Sequence, residues 1–415
     1  MRLISTRGDG GRSRTWSFTD ALFLGHAPDG GLFVPVSIAP LPEKDRAALA
    51  SLAYPERAFV VARHFLAGEV PDDVLRAVVQ DALNFPVPLR EIEPGVHMLE
   101  LFHGPTHAFK DVGARFMARM MSALGGLDTP LGPARVGAPA EAAAPVTILT
   151  ATSGDTGGAV AHAFHGVPGV RVLVFFPIGR ISARQEAQIT TVRGNVTAVA
   201  VRGTFDDCQR LVRQAFADPR LNAHLSLTSA NSINIGRLLP QTFYYVHAWM
   251  ELARMAPDPE VVVSVPSGNF GNLTAGLIAR QVAGVSRARF VAATNANSVV
   301  PEYLDGHGFH PRPSVETIST AMDVGDPSNF RRIRHLFGAE RAGPEDSRGR
   351  PNADDHGSPA SRSLGDILSG SAWSDDETRA CIRDLWLRRG IAIDPHTAVG
   401  LLGLRRELER RPGAR

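Results

Sequence analysis

The stretch Val146-Thr-Ile-Leu-Thr-Ala-Thr-Ser-Gly-Asp-Thr-Gly-Gly158 decides the fold. A β-rich run over 146–151 ends in a glycine-containing turn and passes into a helix. The same grammar recurs along the chain. Val170-Arg-Val-Leu-Val-Phe-Phe176 precedes a helix from about Ser182, and Val196–Val201 precedes one from about Thr204. Val261–Val265 precedes a helix over 272–283, and Arg289–Thr294 is a fifth strand. Strands of continuous apolar character alternating with helices indicate parallel βαβ units whose sheets are covered on both faces. Such sheets bind ligands beyond the carboxyl ends of their strands, so the loops after the strands carry the chemistry.

Outward from this frame, residues 1–95 read as a mostly helical N-terminal domain and 96–415 as an α/β region of two subdomains. In the former, Ala27-Pro-Asp-Gly-Gly-Leu-Phe-Val-Pro35 is a turn followed by a short strand, and segments near 45–52, 55–67 and 73–83 have helical spacing. Gly125–Pro145 and Gly338–Ser363 are rich in Gly, Pro, Ala and charge without periodicity, and read as flexible surface inserts.

The whole chain excludes several classes. Its 415 residues carry a net charge of +2, which suggests neither a nucleic-acid surface nor a polybasic membrane patch. No apolar run approaches the roughly 20 residues needed to cross a bilayer, and the N-terminus has no apolar core of a secretory signal. The two cysteines, Cys208 and Cys381, lack metal-type spacing and a disulfide framework, and no metal site is expected. A cytoplasmic protein is the expectation.

Of 44 basic residues only Lys44 and Lys110 are lysine. Where a plain positive charge suffices, this chain uses arginine. An ε-amine, unlike guanidinium, can lose its proton and attack a carbonyl. Lys44 lies in a polar helix start, Leu41-Pro-Glu-Lys-Asp-Arg46, and reads as surface. Lys110 lies in His103-Gly-Pro-Thr-His-Ala-Phe-Lys110-Asp-Val-Gly113, a Gly/Pro loop entering a helix over 111–124. Val112, Phe116, Met117, Met120 and Met121 form that helix's apolar stripe. The positive end of the helix dipole disfavours charge on the amine there.

Four further loops accompany it. Ser267-Gly-Asn-Phe-Gly-Asn272 joins a strand to a helix, where bare backbone N–H groups and a helix N-terminus suit a phosphate; a plain structural turn is the alternative. Thr150–Gly158 suits a carboxylate in the same way, or is ordinary N-capping. Ser229-Ala-Asn231-Ser-Ile-Asn234-Ile-Gly-Arg237 clusters amides, hydroxyls and an arginine that suit an anion, or is an Asn-rich turn with Arg237 on the surface. In Ile393-Asp-Pro395-His396-Thr397-Ala-Val-Gly400, Pro395 marks a helix start that Thr397 could cap.

Taken together, Leu101–Asp111, Ala151–Gly157, Asn231–Arg237, Ser267–Asn272 and Asp394–Gly400, with Ser5–Gly8 and Asp29–Pro35, resemble the threonine synthases over nearly the whole chain. The resemblance implies a fold-type II pyridoxal-phosphate enzyme, tryptophan synthase β-like, with parallel sheets flanked by helices. It implies pyridoxal 5'-phosphate as cofactor and O-phospho-L-homoserine as substrate, converted with water to L-threonine and phosphate. Lys110 would hold the cofactor as a Schiff base and serve as the catalytic residue. Gly268, Asn269, Phe270 and Asn272 would cradle its phosphate, and Thr397 would face the pyridine nitrogen. Ser153, Asp155 and Thr156 would lie beside the substrate amino acid, with Asn231 and Arg237 as candidates for its phosphate. A monomer or homodimer without nucleic-acid or membrane partners is implied. His107 departs from the family pattern, which favours an apolar or small residue there. The alternatives are a serine/threonine dehydratase, a γ-phospho-amino-acid phospho-lyase, and a non-catalytic, cofactor-binding relative.

Overall fold

A computed structural model describes residues 1–8, 14–125, 145–255, 260–338 and 364–411. The body of each segment read as an insert, 126–144 and 339–363, lies outside these residues. The chain divides into two compact units, residues 1–37, 51–88 and 100–244 in one, and 38–50, 89–99 and 245–415 in the other.

The first unit is built on a parallel sheet. Its strands are β5 (Val146–Ala151), β6 (Val170–Pro177), β7 (Val196–Val201) and β8 (Ser226–Ser229), in the order β7-β6-β5-β8. Val146 pairs with Val170 on one side and Ser226 on the other, so β5 is central and buried at Ile148, Leu149 and Ala151. Two helices begin where the sequence placed them, because Ser182 and Thr204 each close a capping box with the residue three further on. β8 was not expected from sequence; its Ser-Leu-Thr-Ser lacks an apolar run, and pairing with β5 rather than local propensity makes it a strand. Near the N-terminus β1 (Leu3–Ser5) pairs antiparallel with β2 (Phe33–Pro35), and the same region forms helices Phe18–Leu24, Tyr54–Leu66 and Asp72–Ala82.

The second unit has its own parallel sheet, β11-β10-β9, formed by β9 (Val261–Pro266), β10 (Ala288–Thr294) and β11 (Leu368–Ala372). β11 also escaped the sequence, for its Leu-Ser-Gly-Ser-Ala carries almost no apolar signal. The hairpin β3 (Leu89–Glu93) and β4 (Val96–Leu99) belongs to this unit, with Ile92 and Val96 packed on Cys381, Leu385, Ala398 and Leu401. Helix Pro395–Arg410 crosses the sheet at short range because two of its residues are glycine. A Cβ on Gly400 would lie 2.9 Å from Pro266 Cγ, and one on Gly403 would lie 2.8 Å from Ala293 Cβ and 2.9 Å from Ser371 Oγ. Ser264 Oγ donates to the Gly400 carbonyl at 2.6 Å. The helix start is thereby fixed against β9, the strand that runs into the Ser267–Asn272 turn. Both cysteines are free and buried. No helix among the described residues is long and apolar enough to cross a membrane.

Gly403→Ala tests this contact. Alanine is the better helix former by about 1 kcal/mol, but forcing a methyl into a filled space costs about 1–3 kcal/mol. The expected result is a lower urea midpoint with an unchanged m-value; a midpoint equal to or above wild type would show that the helix does not need the close approach.

Candidate active site

The Lys110 loop is held by the residue after the lysine. Helix Lys110–Leu124 has no side-chain cap from its preceding residue, Phe109. Instead the buried Asp111 carboxylate accepts the Thr106 N–H at 2.8 Å and the Thr106 hydroxyl at 2.7 Å, folding the loop back over its helix. Gly104 leaves room for that carboxylate, since a Cβ there would lie 2.5 Å from Asp111 Oδ2. His107 is exposed, with φ 58°, and its Nδ1 lies 3.2 Å from the Phe102 carbonyl. Histidine tolerates the left-handed region better than most side chains, which accounts for its presence at this turn.

Lys110 Nζ lies 3.1 Å from Asp155 Oδ2 and 4.6 Å from the centre of the Phe109 ring. Asp155 is the first residue of helix Asp155–Phe164, at the end of β5. Its other oxygen accepts from Gln185 Nε2 at 2.8 Å, and Gln185 is itself held by the capping box with Ser182. The geometry changes the electrostatic argument from sequence. A helix end contributes about 0.3–1 kcal/mol, and an opposite charge in contact outweighs it. Asp155, expected beside the substrate, is the lysine's partner. Gly154, at φ 132°, has no room for a side chain, since a Cβ would lie 2.4 Å from the Gln185 amide. Thr152 Oγ1 accepts the N–H groups of Gly154 and Gly157 at 2.9 and 2.8 Å, fixing the turn that presents the partly exposed Ser153 and Thr156.

Asn231 and Arg237 belong to the same unit. Asn231 Nδ2 donates to the Ala151 carbonyl at 2.8 Å and its Oδ1 accepts the Ala151 N–H at 3.3 Å, so the amide extends the ladder of β5. Arg237 is not on the surface, the bland alternative in sequence. It is 4% exposed, donates to the Ala230 carbonyl, and its Nε is buried without a hydrogen-bond partner. Burial brings its pKa down to about 10 despite the nearby Asp111. Gly113 allows this seat: a Cβ there would lie 2.7 Å from the Arg237 carbonyl.

In the second unit β9 ends in the Ser267–Asn272 turn. The left-handed residue of this turn is Phe270, at φ 62° and ψ 9°. Its ring is buried against Phe330, 5.9 Å between centroids, and its carbonyl accepts the Thr274 N–H and hydroxyl. Gly268 is required for space, since a Cβ would lie 2.8 Å from the Ala321 carbonyl oxygen and from Met322 Cα. Asn269 Oδ1 accepts the Ser328 N–H at 2.8 Å, and Asn272 Oδ1 accepts the Tyr245 hydroxyl at 2.8 Å. Thr397 is the third residue of its helix, not the cap. The cap is Asp394, whose carboxylate accepts the N–H groups of His396 and Thr397 and, at 2.5 Å, the Thr397 hydroxyl. Partial desolvation works against the charge of the exposed Asp394, but the bonds from His396 and Thr397 hold its carboxyl well below the usual range.

Comparison with known proteins places the chain in a family. Residues 87–414 match the family model described as pyridoxal-phosphate dependent enzyme, and residues 2–83 match that of the threonine synthase N terminus. A threonine synthase of Haemophilus influenzae is 42% identical over 393 residues, 95% of this chain and 83% of the relative. The chain belongs to the threonine synthase family. The crystal structure of threonine synthase from Escherichia coli superposes with a TM-score of 0.83 at 39% identity, covering 100% of this chain and 86% of that one. A pyridoxal-phosphate-bound threonine synthase from Brucella melitensis gives 0.82 at 34% identity, covering 98% and 86%. The fold-type II architecture expected from the motifs is the one observed, and the cofactor of the family is pyridoxal phosphate.

The residues present fit that cofactor. The first-turn N–H groups of helix Gly271–Ala283 precede its first internal hydrogen bond and lie beside a turn where a Cβ at Gly268 has no space, which suits a phosphate. Lys110 supplies an amine, held 3.1 Å from the Asp155 carboxylate. Sequence reasoning missed Asp111, Gln185 and Asp394. Asp394-Pro395 was the legible signal, since Asp before a helix-initiating proline is a cap; Gln185 left none, because its partner is 30 residues away.

The depressed Asp394 carboxyl carries a pH signature. Its contribution to stability is complete above its unfolded-chain value of 3.8 and is lost as pH falls from there toward the lower folded value. Asp394→Asn is expected to melt lower than wild type near neutral pH and to show a shallower fall of Tm below about pH 4. Parallel Tm-versus-pH curves for the two proteins would count against the assignment.

Proposed function

We propose that this chain is a threonine synthase that converts O-phospho-L-homoserine and water to L-threonine and phosphate. The observation that carries the reading is the ion pair of Lys110 with Asp155 in a loop cluster where strand β5 ends, in a chain with one other lysine. Lys110 would anchor the cofactor covalently. Gly268, Asn269, Phe270 and Asn272 would hold its phosphate, and Thr397 would face its ring nitrogen. When bound, the cofactor supplies an electron sink for the bonds broken at the substrate's Cα.

The chain's own groups then have distinct tasks. Lys110 Nζ, once released from the cofactor, takes the proton from Cα and later returns it. Asp155, clamped by Gln185, keeps that amine in place and takes up its charge. Ser153 and Thr156, with the N-terminus of helix Asp155–Phe164, receive the substrate carboxylate. Asn231 and Arg237 are assigned to the substrate phosphate, and for Arg237 this requires its bond to the Ala230 carbonyl to open. Loss of a second proton at Cβ lets the γ C–O bond break with its electron pair leaving on phosphate. A proton then adds at Cγ and water at Cβ, and the departing phosphate orients that water. Residues 1–95 act as the N-terminal domain and 96–415 as the catalytic region of two subdomains. The enzyme works in the cytoplasm as a monomer or homodimer on this small molecule alone.

Two measurements test the reading. Phosphate release coupled to threonine detection should give one threonine per phosphate; 2-oxobutanoate from threonine alone would point to a dehydratase, and ammonia with an oxoacid from the phosphorylated substrate to a phospho-lyase. Lys110→Arg should lose both turnover and the visible absorbance of the bound cofactor, because guanidinium cannot form the imine. Retained turnover in that variant would refute the central role of Lys110.

A further inference from the structure

The Asp394–Thr397 corner contains a side chain that the chemistry above leaves unused. His396 Nε2 accepts the Ala321 backbone N–H at 3.2 Å, and His396 Nδ1 lies 2.8 Å from Asp394 Oδ1. An N–H pointing at Nε2 requires a lone pair there. The ring is therefore the neutral tautomer with its proton on Nδ1, given to Asp394. The same carboxylate receives the Thr397 hydroxyl at 2.5 Å. On the far side, Ala321 and Met322 form the wall against which Gly268 is pressed, backbone to backbone.

We propose that His396 is a positioning residue that ties Thr397 to the wall of the phosphate cradle through the relay Thr397–Asp394–His396–Ala321–Gly268. This rests on the reading of the Gly268–Asn272 turn as the cofactor's phosphate site. The wall is a 3-10 turn, Thr320–Met322, closed by the Met322 N–H to the Ser319 carbonyl at 2.9 Å and the Asp323 N–H to the Thr320 carbonyl at 3.2 Å, and side chains support it from two sides. From the β10 side, Asp323 accepts Asn295 Nδ2 at 2.8 Å, Asn297 Nδ2 at 3.3 Å, the Thr317 hydroxyl at 2.7 Å and the Thr317 N–H at 3.1 Å. Asn295 Nδ2 also reaches Ser319 Oγ at 3.1 Å. These bonds fix Ser319 and Asp323, the residues flanking the wall. The Ala321 N–H between them donates to His396 Nε2. The Ala321 carbonyl, the atom nearest Gly268, belongs to the same residue. Its position therefore depends on the histidine ring as well as on the turn's own bonds, and so does the depth of the cradle. Asp394 is held also by the His396 and Thr397 N–H groups, so the distinct contribution of the ring is its bond to the wall. One imidazole thus ties the wall of the cradle to the corner that carries Thr397.

The two bonds of His396 separate by substitution. Glutamine places an amide oxygen near Nε2 and keeps the Ala321 bond; asparagine places an amide nitrogen near Nδ1 and keeps only the Asp394 bond. Purified apo-protein of wild type, His396→Gln, His396→Asn and Gly268→Ala is titrated with pyridoxal phosphate, following the visible absorbance, and each apo-form is melted in parallel. His396→Asn should bind the cofactor about five- to tenfold more weakly, the worth of one hydrogen bond, with an apo Tm close to wild type. His396→Gln should bind within about twofold of wild type. Equal affinity of His396→Asn and wild type overturns the relay, as does a failure of glutamine to restore what asparagine loses. A loss of apo Tm with unchanged cofactor affinity also overturns it, assigning the histidine to folding. Gly268→Ala keeps the two readings apart: weak binding there with a normal His396→Asn removes the relay and leaves the cradle, whereas normal binding in Gly268→Ala removes the cradle itself.

Discussion

Strands buried on both faces in a parallel sheet have no side chains to offer to solvent, so this protein's chemistry is confined to the places where those strands run out. β5 ends in the turn that carries Asp155, and β9 ends in the turn that carries Gly268 to Asn272. Each turn passes at once into a helix, which brings unpaired N–H groups to the same spot. Catalytic placement here is a consequence of sheet topology, with individual residues adjusting it.

In the first unit that adjustment is electrostatic. Two pairs of opposite charge carry it: Lys110 with Asp155, and Asp111 with the buried Arg237 in its neighbourhood. Their burdens differ. Asp155 faces the amine directly and is partly exposed, whereas Asp111 is spent on the Thr106 backbone and hydroxyl and holds the loop in shape. Arg237 compensates a buried negative charge without touching it, at the expense of an Nε that has no partner. Burying a guanidinium so incompletely paired is costly. Retaining it there is consistent with an anion-facing role for this corner of the unit.

In the second unit the adjustment is steric. Gly268, Gly400 and Gly403 each mark a contact at which a single methyl would collide with backbone or with a packed neighbour. Phe270 stands in a left-handed conformation that costs an ordinary residue about 1–2 kcal/mol. Its buried ring offsets that cost and anchors the turn. A glycine would relax the backbone and lose the anchor, which explains an aromatic residue at a position where glycine is the usual choice.

What the sequence determined by itself was periodicity and chemical type. The five apolar strands, the caps at Ser182 and Thr204, the singular Lys110 and the ordered loops were all legible, because each depends on residues adjacent in the chain. β8 and β11 were not legible, since Ser-Leu-Thr-Ser and Leu-Ser-Gly-Ser-Ala become strands only by pairing with neighbours far away. The lysine's partner was named but given another task, because nothing local says that Asp155 lies 3.1 Å from Nζ across 45 residues of chain. Tertiary structure alone decided which oxygen meets which proton across the chain: Asp155 clamped by Gln185, and Arg237 buried rather than exposed. Hydrogen bonds and desolvation depend on distances of a few ångströms between residues remote in sequence, and those distances exist only after the chain has folded.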